Sequence, residues 1–454
     1  MRKVKKLDAD TLTVVSAYMR LRGTKTFLLE SKGNQTASAN YSIIAVDPVH
    51  EFQATGTAIY IDGQLQASTD PLQALQALVV QQEEPIPGLP FQGGAIGYVG
   101  FDTVAVYEDL GAQPVNDLNM PDMHLFVYET FIIFDNQAQT LTIVADNCYS
   151  GRTNLDAVIT NIIEQLHAVQ PAEDVPVKLH ELQPKPNMSP AQFTGMVEQA
   201  QALITAGDMF QIVPSQRFEF DFVDDPFDFY RQLRRSNPSP YMYFLDYGPY
   251  QIIGASPESL VTVRGDVVTT NPIAGTRKRG RDAVHDQALA KELQTDEKEL
   301  AEHRMLVDLG RNDIGKISTY GSVKVTRLLE LEKYQYVMHL VSEVQGQLIP
   351  KTPAIEALKA TLPAGTVSGA PKVRALQRLY ELEPVKRGVY AGAVGYLSQD
   401  NQLDFAIAIR TMIVKDGQGY VQAGAGIVYD SIAANEYQET LNKARGLLNV
   451  GGLR

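Results

Sequence analysis

Two stretches of the chain set glutamates three residues apart where apolar spacing predicts helices. In DEKELAEHRMLVDLGRND, from Asp296, Glu299 and Glu302 share a face with His303. In NEYQETLNKARGLL, from Asn435, Glu436 and Glu439 repeat the pattern, with Lys443 one turn beyond. Like charges at that spacing repel, so each pair needs a reason. One reading is a solvated acidic face, neutralised on the first helix by Lys298, His303 and Arg304. The other is a hard divalent cation caged between the two helices. Oxygen ligands without thiolates suit Mg2+, which keeps several waters and leaves positions for substrate oxygens. Convergent histidines are too few to favour zinc. Neither pair decides the matter alone.

Other motifs accompany them. GAGIVYDS, from Gly424, brings two glycines to the end of a predicted strand, where backbone N–H groups can approach an anion or strands can simply pack closely. ATLPAGTVSGAPKVRAL combines Thr366 and Ser368 with Pro371, a suitable helix start, followed by Lys372 and Arg374; it reads as an oxyanion-receiving loop without the Walker spacing. Arg410 lies in the apolar run AIAIRT, taken as a strand, and needs a carboxylate partner from the protein or a ligand. Cys148 has no base in its local run ADNCYSG and reads as an inert, partly buried thiol.

The elements that must position these residues are mixed. Of the 454 residues, 44% are hydrophobic and 20% charged, as in an ordinary globular chain, and its length exceeds what one core usually organises. The net charge of -13 argues against a dedicated nucleic-acid binder or an anionic membrane surface. No apolar run is long enough to span a bilayer, and MRKVKKLDAD has none behind it that would make a secretory leader; a cytoplasmic protein is expected. The first part is strand-rich (TFLLES, YSIIAV, MHLFVYETFIIFD, LTIVAD). A Pro- and Glu-rich tract between about Val169 and Ser189 marks a boundary, separating residues 1–180 from residues 187–454. Ser189 and Pro190 open a helix that stops at Gly207. A long helical region runs from about Asp282 to Leu309, and a closing helix from about Asn435 to Leu448. The fold class expected is α+β, with large mixed or antiparallel sheets packed as a sandwich, surrounding helices and two intertwined subdomains.

The ordered set ASPESL, NPIAGTRKRG, DEKELAEHRMLVDLGRND, LPAGTVSGAPK, AIAIRT, AGAGIV and NEYQETLNKA resembles the chorismate-utilising enzymes, over roughly the last 270 residues. Within that family the chain looks most like the large, chorismate-binding subunits (component I) of the anthranilate synthases. Ala274 stands where the aminodeoxychorismate synthases, the closest rival on the folate branch, carry a nucleophilic lysine. Gln211 stands where the isochorismate and salicylate synthases carry a lysine that activates water, and glutamine has no basic nitrogen. Both changes imply ammonia as nucleophile.

The resemblance implies Mg-dependent amination of chorismate, then loss of pyruvate to give anthranilate, the first committed step of tryptophan biosynthesis. Glu258 becomes the general acid and His339 the base, with Gln211 and Thr366 beside them. Glu302 and Glu439 become direct metal ligands, with Glu299 and Glu436 on bound waters or just outside. Substrate contacts fall to Gly275, Thr276, Tyr390, Arg410, Gly424, Ala425, Gly426 and Lys443. Glu30 and Ser31 in FLLES, with Pro240, Tyr241 and Met242 in NPSPYMYF, resemble a feedback site for L-tryptophan in the N-terminal part, although the family commonly has Phe where Tyr243 stands. The chain shows no glutamine-hydrolysing machinery, so a separate glutamine amidotransferase subunit (component II) is expected, in a heterotetramer.

Overall fold

Strands with apolar faces need partners on both edges and cover on both sides, and this chain supplies both. The computed structural model describes residues 1–23, 25–31, 41–82, 84–168, 179–334 and 337–450. Part of the expected boundary, residues 169–178, lies outside the described residues. Among the described residues the strands pair, antiparallel throughout, into one sheet of 11 strands, another of 12, and a two-stranded ribbon joining Gln211–Ile212 to Gly369–Ala370.

Each sheet is assembled from both halves of the sequence. In the first, strands up to Asp146 form one contiguous block and strands from Lys185 onward the other; they meet where Phe27–Glu30 pairs with Tyr241–Asp246. In the second, the blocks meet where Gly94–Val99 pairs with Ala393–Ser398. The inner faces of the two sheets enclose Phe27, Phe131, Leu245 and Ile252 from one and Ile96, Tyr98, Phe126 and Tyr396 from the other, all buried. Helices Val14–Leu21, Leu155–His167, Pro226–Ser236 and Ala433–Leu448 cover the outer face of the first sheet. Helices Pro71–Leu78, Pro190–Thr205, Glu297–Gly315, Ile355–Thr361 and Lys372–Leu382 cover the second. The result is the expected α+β sandwich.

Local sequence explains the elements nearest the glutamates. Ser189 and Gln192 form a reciprocal capping box, with Pro190 at the first helical position. The closing helix runs Ala433–Leu448. The long helical region, expected as one unit, is two helices, Ala283–Thr295 and Glu297–Gly315. Asp296 makes the break: it ends the first and caps the second, accepting from the backbone N–H groups of Lys298 and Glu299. Arg277 holds its carboxylate at 2.8 Å. Because capping competes with helix continuation, an aspartate inside an apolar-periodic run can divide it.

Candidate active site

Where the second half of the chain crosses between the sheets, a cavity of about 200 Å3 opens. Strand Tyr250–Ser256 ends just before Glu258, strand Ile273–Lys278 brings Ala274 and Thr276, and strand Val337–Gln347 brings His339. The short helix Gly365–Ser368 contributes Thr366, and strand Gln418–Gly424 ends at Gly424. Tyr390, Arg410 and Lys443 complete the polar lining. Residues far apart in sequence thus converge on one cavity.

Glu258 is only 7% exposed, and burial pushes its carboxyl up to about 8; the nearby Thr366 side chain and the Lys443 charge oppose the shift without cancelling it. The Thr366 hydroxyl nevertheless has no partner that meets hydrogen-bond geometry among the described residues. Burial lowers His339, so the ring is neutral near pH 7. Its Nδ1 lies 3.0 Å from Thr276 Oγ1 and 3.2 Å from the Gly275 carbonyl oxygen. A carbonyl can only accept, so Nδ1 carries the proton and Nε2 keeps its lone pair.

Arg410 is not inside a strand. It sits in the break between strands Leu403–Ile407 and Thr411–Lys415, with φ 52° in the left-handed region. That turn aims its guanidinium at the cavity, where Nη1 donates to the Lys443 carbonyl at 2.7 Å. It forms no ion pair with a carboxylate among the described residues, while the more distant Glu439 and Tyr390 favour its charge. Lys443 donates to the Gly424 carbonyl at 2.9 Å and pairs with Glu439 at 2.6 Å. A side chain at Gly424 would press on the Pro214 carbonyl and, at 3.0 Å, on the Tyr390 hydroxyl, so glycine is required there for packing. Lys372 and Arg374, read as part of an oxyanion loop, turn away from the cavity. Lys372 pairs with Asp313 at 2.5 Å and Arg374 with Asp208 at 2.7 Å.

The glutamate pairs lie beside this cavity. Gln211, buried, donates Nε2 to Glu302 at 2.8 Å and leaves its amide oxygen without a partner. A Cβ on Gly426 would sit 3.0 Å from that Nε2, so Ala425 and Gly426 pass close behind it. Burial raises the Glu302 carboxyl; the Gln211 amide pulls it back and the Glu299 charge adds to the rise. Burial likewise raises Glu436, with Ser431 opposing and Glu439 reinforcing. Both Glu302 and Glu436 feel the charges of Lys298 and Lys443, which places the two pairs around shared cations. Glu299 is held by Arg277 at 3.0 Å. The donors have the chemistry of a hard-cation site: Glu299, Glu302 and Glu436 are half-buried and Glu439 is exposed, with like charge adding to the burial that raises Glu302 and Glu436. Among the described residues, however, no three acidic, histidine or cysteine side chains converge closely enough to hold an ion.

Glu30 and Met242 face each other in register across the seam of the first sheet. Glu30 is already engaged, accepting from Arg234 at 2.6 and 2.8 Å and from the Tyr230 hydroxyl at 2.6 Å. Met242 is buried, and Ser31, Pro240 and Tyr241 are half-buried. Cys148 is half-buried, with its thiol pushed up by burial and 3.1 Å from Gln399 Nε2. Sequence reasoning missed the floor of the cavity. Arg387, 3% exposed, clamps Glu383 through two nitrogens and donates to the carbonyls of Val213 and Val367, both lining residues. The signal was a charged pair four apart, Glu383 and Arg387, which an exposed helix would show equally.

The chain belongs to the chorismate binding enzyme family, matching it over residues 24–449. It is similar to the anthranilate synthase component 1 of Lactococcus lactis subsp. lactis, with 50% identity over 99% of this chain and 100% of the relative. The crystal structure of anthranilate synthase component I from Streptococcus pneumoniae TIGR4 is 50% identical and superposes with a TM-score of 0.86 over 98% of this chain and 99% of that one. The menaquinone-specific isochorismate synthase of Escherichia coli shares the fold, with a TM-score of 0.75 over 99% of this chain and 94% of its own, at 20% identity. No helix among the described residues is long and apolar enough to cross a membrane.

Proposed function

We infer that the chain is the chorismate-binding component of an anthranilate synthase, adding ammonia to the ring of chorismate and then eliminating pyruvate to leave anthranilate, the first committed step of tryptophan biosynthesis. The observation that carries the reading is Glu258. Its carboxyl is protonated at neutral pH and faces a cavity that also holds Arg410, Lys443 and a neutral His339. Ala274 lines the same cavity and offers only a methyl group, so the nucleophile comes from outside.

Chorismate carries two carboxylates, a ring hydroxyl and an enolpyruvyl ether. Arg410 receives the enolpyruvyl carboxylate, helped by Tyr390 and the backbone at Gly424, Ala425 and Gly426. The backbone of Gly275 and Thr276 lies along the ring, with Lys443 at its edge. Hydroxide leaves poorly, so Glu258 gives it a proton as the C–O bond breaks; water departs while the ammonia lone pair forms the C–N bond, and the ring ammonium so formed then loses one N–H proton to solvent to become the amine. Thr366 stands beside the acid, and the free amide oxygen of Gln211 accepts an N–H from the incoming nucleophile. In the second step His339 takes the ring proton through Nε2. The C–H electrons complete the aromatic ring as the enolpyruvyl C–O bond breaks, and the side chain leaves as the enolate of pyruvate, which takes a proton at its methylene carbon and so balances the one removed from the ring.

Glu302 and Glu439 would hold Mg2+ directly, with Glu299 and Glu436 on its bound waters. When bound, Mg2+ supplies an anchor for the ring carboxylate and stabilises negative charge conjugated with it. Ammonia comes from a separate glutamine amidotransferase subunit in a cytoplasmic heterotetramer. Glu30, Ser31, Pro240, Tyr241 and Met242 take L-tryptophan at the seam between the halves, where a ligand touches both.

The test is direct. Purified chain with chorismate, Mg2+ and ammonium salt at mildly alkaline pH produces blue-fluorescent anthranilate, and the chain has no tryptophan to interfere. Glutamine in place of ammonium gives none, and EDTA or free tryptophan suppresses the signal. A non-fluorescent aminated product that keeps its pyruvyl group contradicts the reading, as does failure to consume chorismate.

A further inference from the structure

Glu258 borders a second space on the side away from the cleft. This void, of about 40 Å3, is lined by Glu258 and Thr366 at one end, Ser259 along its wall, and Leu309 and Asp313 at the other. Glu258 and Thr366 also line the cleft, while Leu309 and Asp313 also line an outer pocket of about 300 Å3. Cleft, void and outer pocket therefore lie in series, with a carboxyl group at each junction.

The void is large enough for ordered water, and its chemistry asks for it. The Thr366 hydroxyl oxygen is buried without a partner in hydrogen-bond geometry among the described residues, while the Ser259 hydroxyl lies against the Tyr241 phenol. One orphaned hydroxyl and two carboxyl groups around a water-sized space are the partners a structural water needs. At the outer junction Asp313 is 5% exposed and accepts from Lys372 Nζ at 2.5 Å. Lys372 also donates to the Thr361 carbonyl at 3.0 Å, and Lys316 Nζ lies 3.7 Å from the second Asp313 oxygen. Burial raises Asp313 and lowers Lys372, which makes their proton readily shared.

We propose that ordered water in this void joins Glu258 to the Asp313–Lys372 pair, forming the path by which the acid is reprotonated from the outer pocket. The proposal rests on the assignment of Glu258 as general acid. Once it has protonated the departing hydroxide, Glu258 is a carboxylate with product still in the cleft and the water-sized void as its other neighbour. The water's O–H bond breaks as the Glu258 O–H bond forms. A proton passed along Asp313 from the outer pocket restores that water, and no other reactant is consumed. Asp313 touches no substrate; it is a positioning residue for the water.

Two variants test the path. Gly310 lines the void inside a helix, and a Cβ there would stand 3.1 Å from Thr270 Cγ2 and 3.5 Å from Pro272 Cγ, both in its wall. Gly310→Ala therefore narrows the void, with the tight contact at Thr270 offset by a gain in helix propensity of about 1 kcal/mol. Asp313→Asn combined with Lys372→Met removes the proton donor without leaving a buried charge unpaired. Both are expected to melt no lower than the parent and to keep its KM for chorismate. Ammonium-dependent kcat should fall about tenfold or more, with a larger solvent deuterium isotope effect. Imidazole or small carboxylic acids in the buffer should restore the Asp313 variant and not Gly310→Ala.

Parental kcat and isotope effect in both folded variants would overturn the path. A raised KM for ammonium with an unchanged isotope effect would also overturn it, making the void a route for ammonia. Glu258→Gln separates this proposal from its premise. If that variant stays active, the general-acid reading itself falls; if it is dead while the other two are parental, only the path falls.

Discussion

Glu258 shows how a single side chain can be set against the stability of its own fold. Its folded pKa of about 8 lies above the ordinary 4.5, so between those values the native state binds the proton that the unfolded state has released. Stability linked to this group is full below pH 4.5 and declines as pH rises through 8, by about 1.4 kcal/mol for each pH unit separating the two values, a few kcal/mol in all. Glu258→Gln removes the titration. It should match the parent in urea midpoint at pH 5 and exceed it at pH 9, while losing turnover at both. A constant difference between the two curves across that range would mean that the carboxyl is not held protonated by burial. Retaining such a residue makes sense only where the proton is used, which is the cost of placing an acid beside an apolar wall.

Elements decide where those side chains point, and here the sequence is legible in part. The helix opened by Ser189 and Pro190 is legible because a capping box sets its start locally, whereas the closing helix, whose N-cap Ile432 makes no side-chain cap, is placed by periodicity and begins two residues earlier than expected. Arg410 was placed in a strand because AIAIRT is continuous in hydropathy; the left-handed break that turns it into the cavity has no local signature. Lys372 and Arg374 looked like anion ligands because their partners, Asp313 and Asp208, are 59 and 166 residues away. Asp296 was hidden by its own propensity, since an aspartate within a helical period reads as another charged position. Its cap fixes the first turn that carries Glu299, and through it the bearing of Glu302. Asp296→Ala should cost about 1 kcal/mol in urea unfolding. Ammonium-dependent turnover should fall more than that loss explains, with the deficit partly relieved by raised Mg2+. Parental activity at all Mg2+ concentrations would show that the glutamates are aimed by something else.

At the scale of the whole molecule, neither half of the sequence owns a sheet. The cavity lies in strands of the second half, yet each of its two sheets is completed by strands of the first, across one seam apiece. The seam of the first sheet carries the buried Glu30–Arg234 pair, and that of the second sheet depends on close approach of backbones. Gly97 pairs with Gly395 there, and a Cβ at Gly97 would collide with the His124 carbonyl and stand 3.0 Å from the Tyr247 hydroxyl. Tyr247 stacks on Tyr250, whose strand leads directly to Glu258, so strain at this glycine is passed through rigid packing toward the acid. Gly97→Ala, in the half that contributes nothing to the cavity lining, should therefore destabilise the chain by roughly 2–3 kcal/mol. Backbone far-ultraviolet and tyrosine near-ultraviolet signals should lose their structure in one coincident transition, shifted to lower urea. Amide exchange should speed up in strand Tyr250–Ser256 as well as around residue 97. Two separated transitions, with the second half still at its parental midpoint, would mean that the seams join independently stable halves and that a ligand at the proposed Ser31–Met242 site would have no packed route to the cavity.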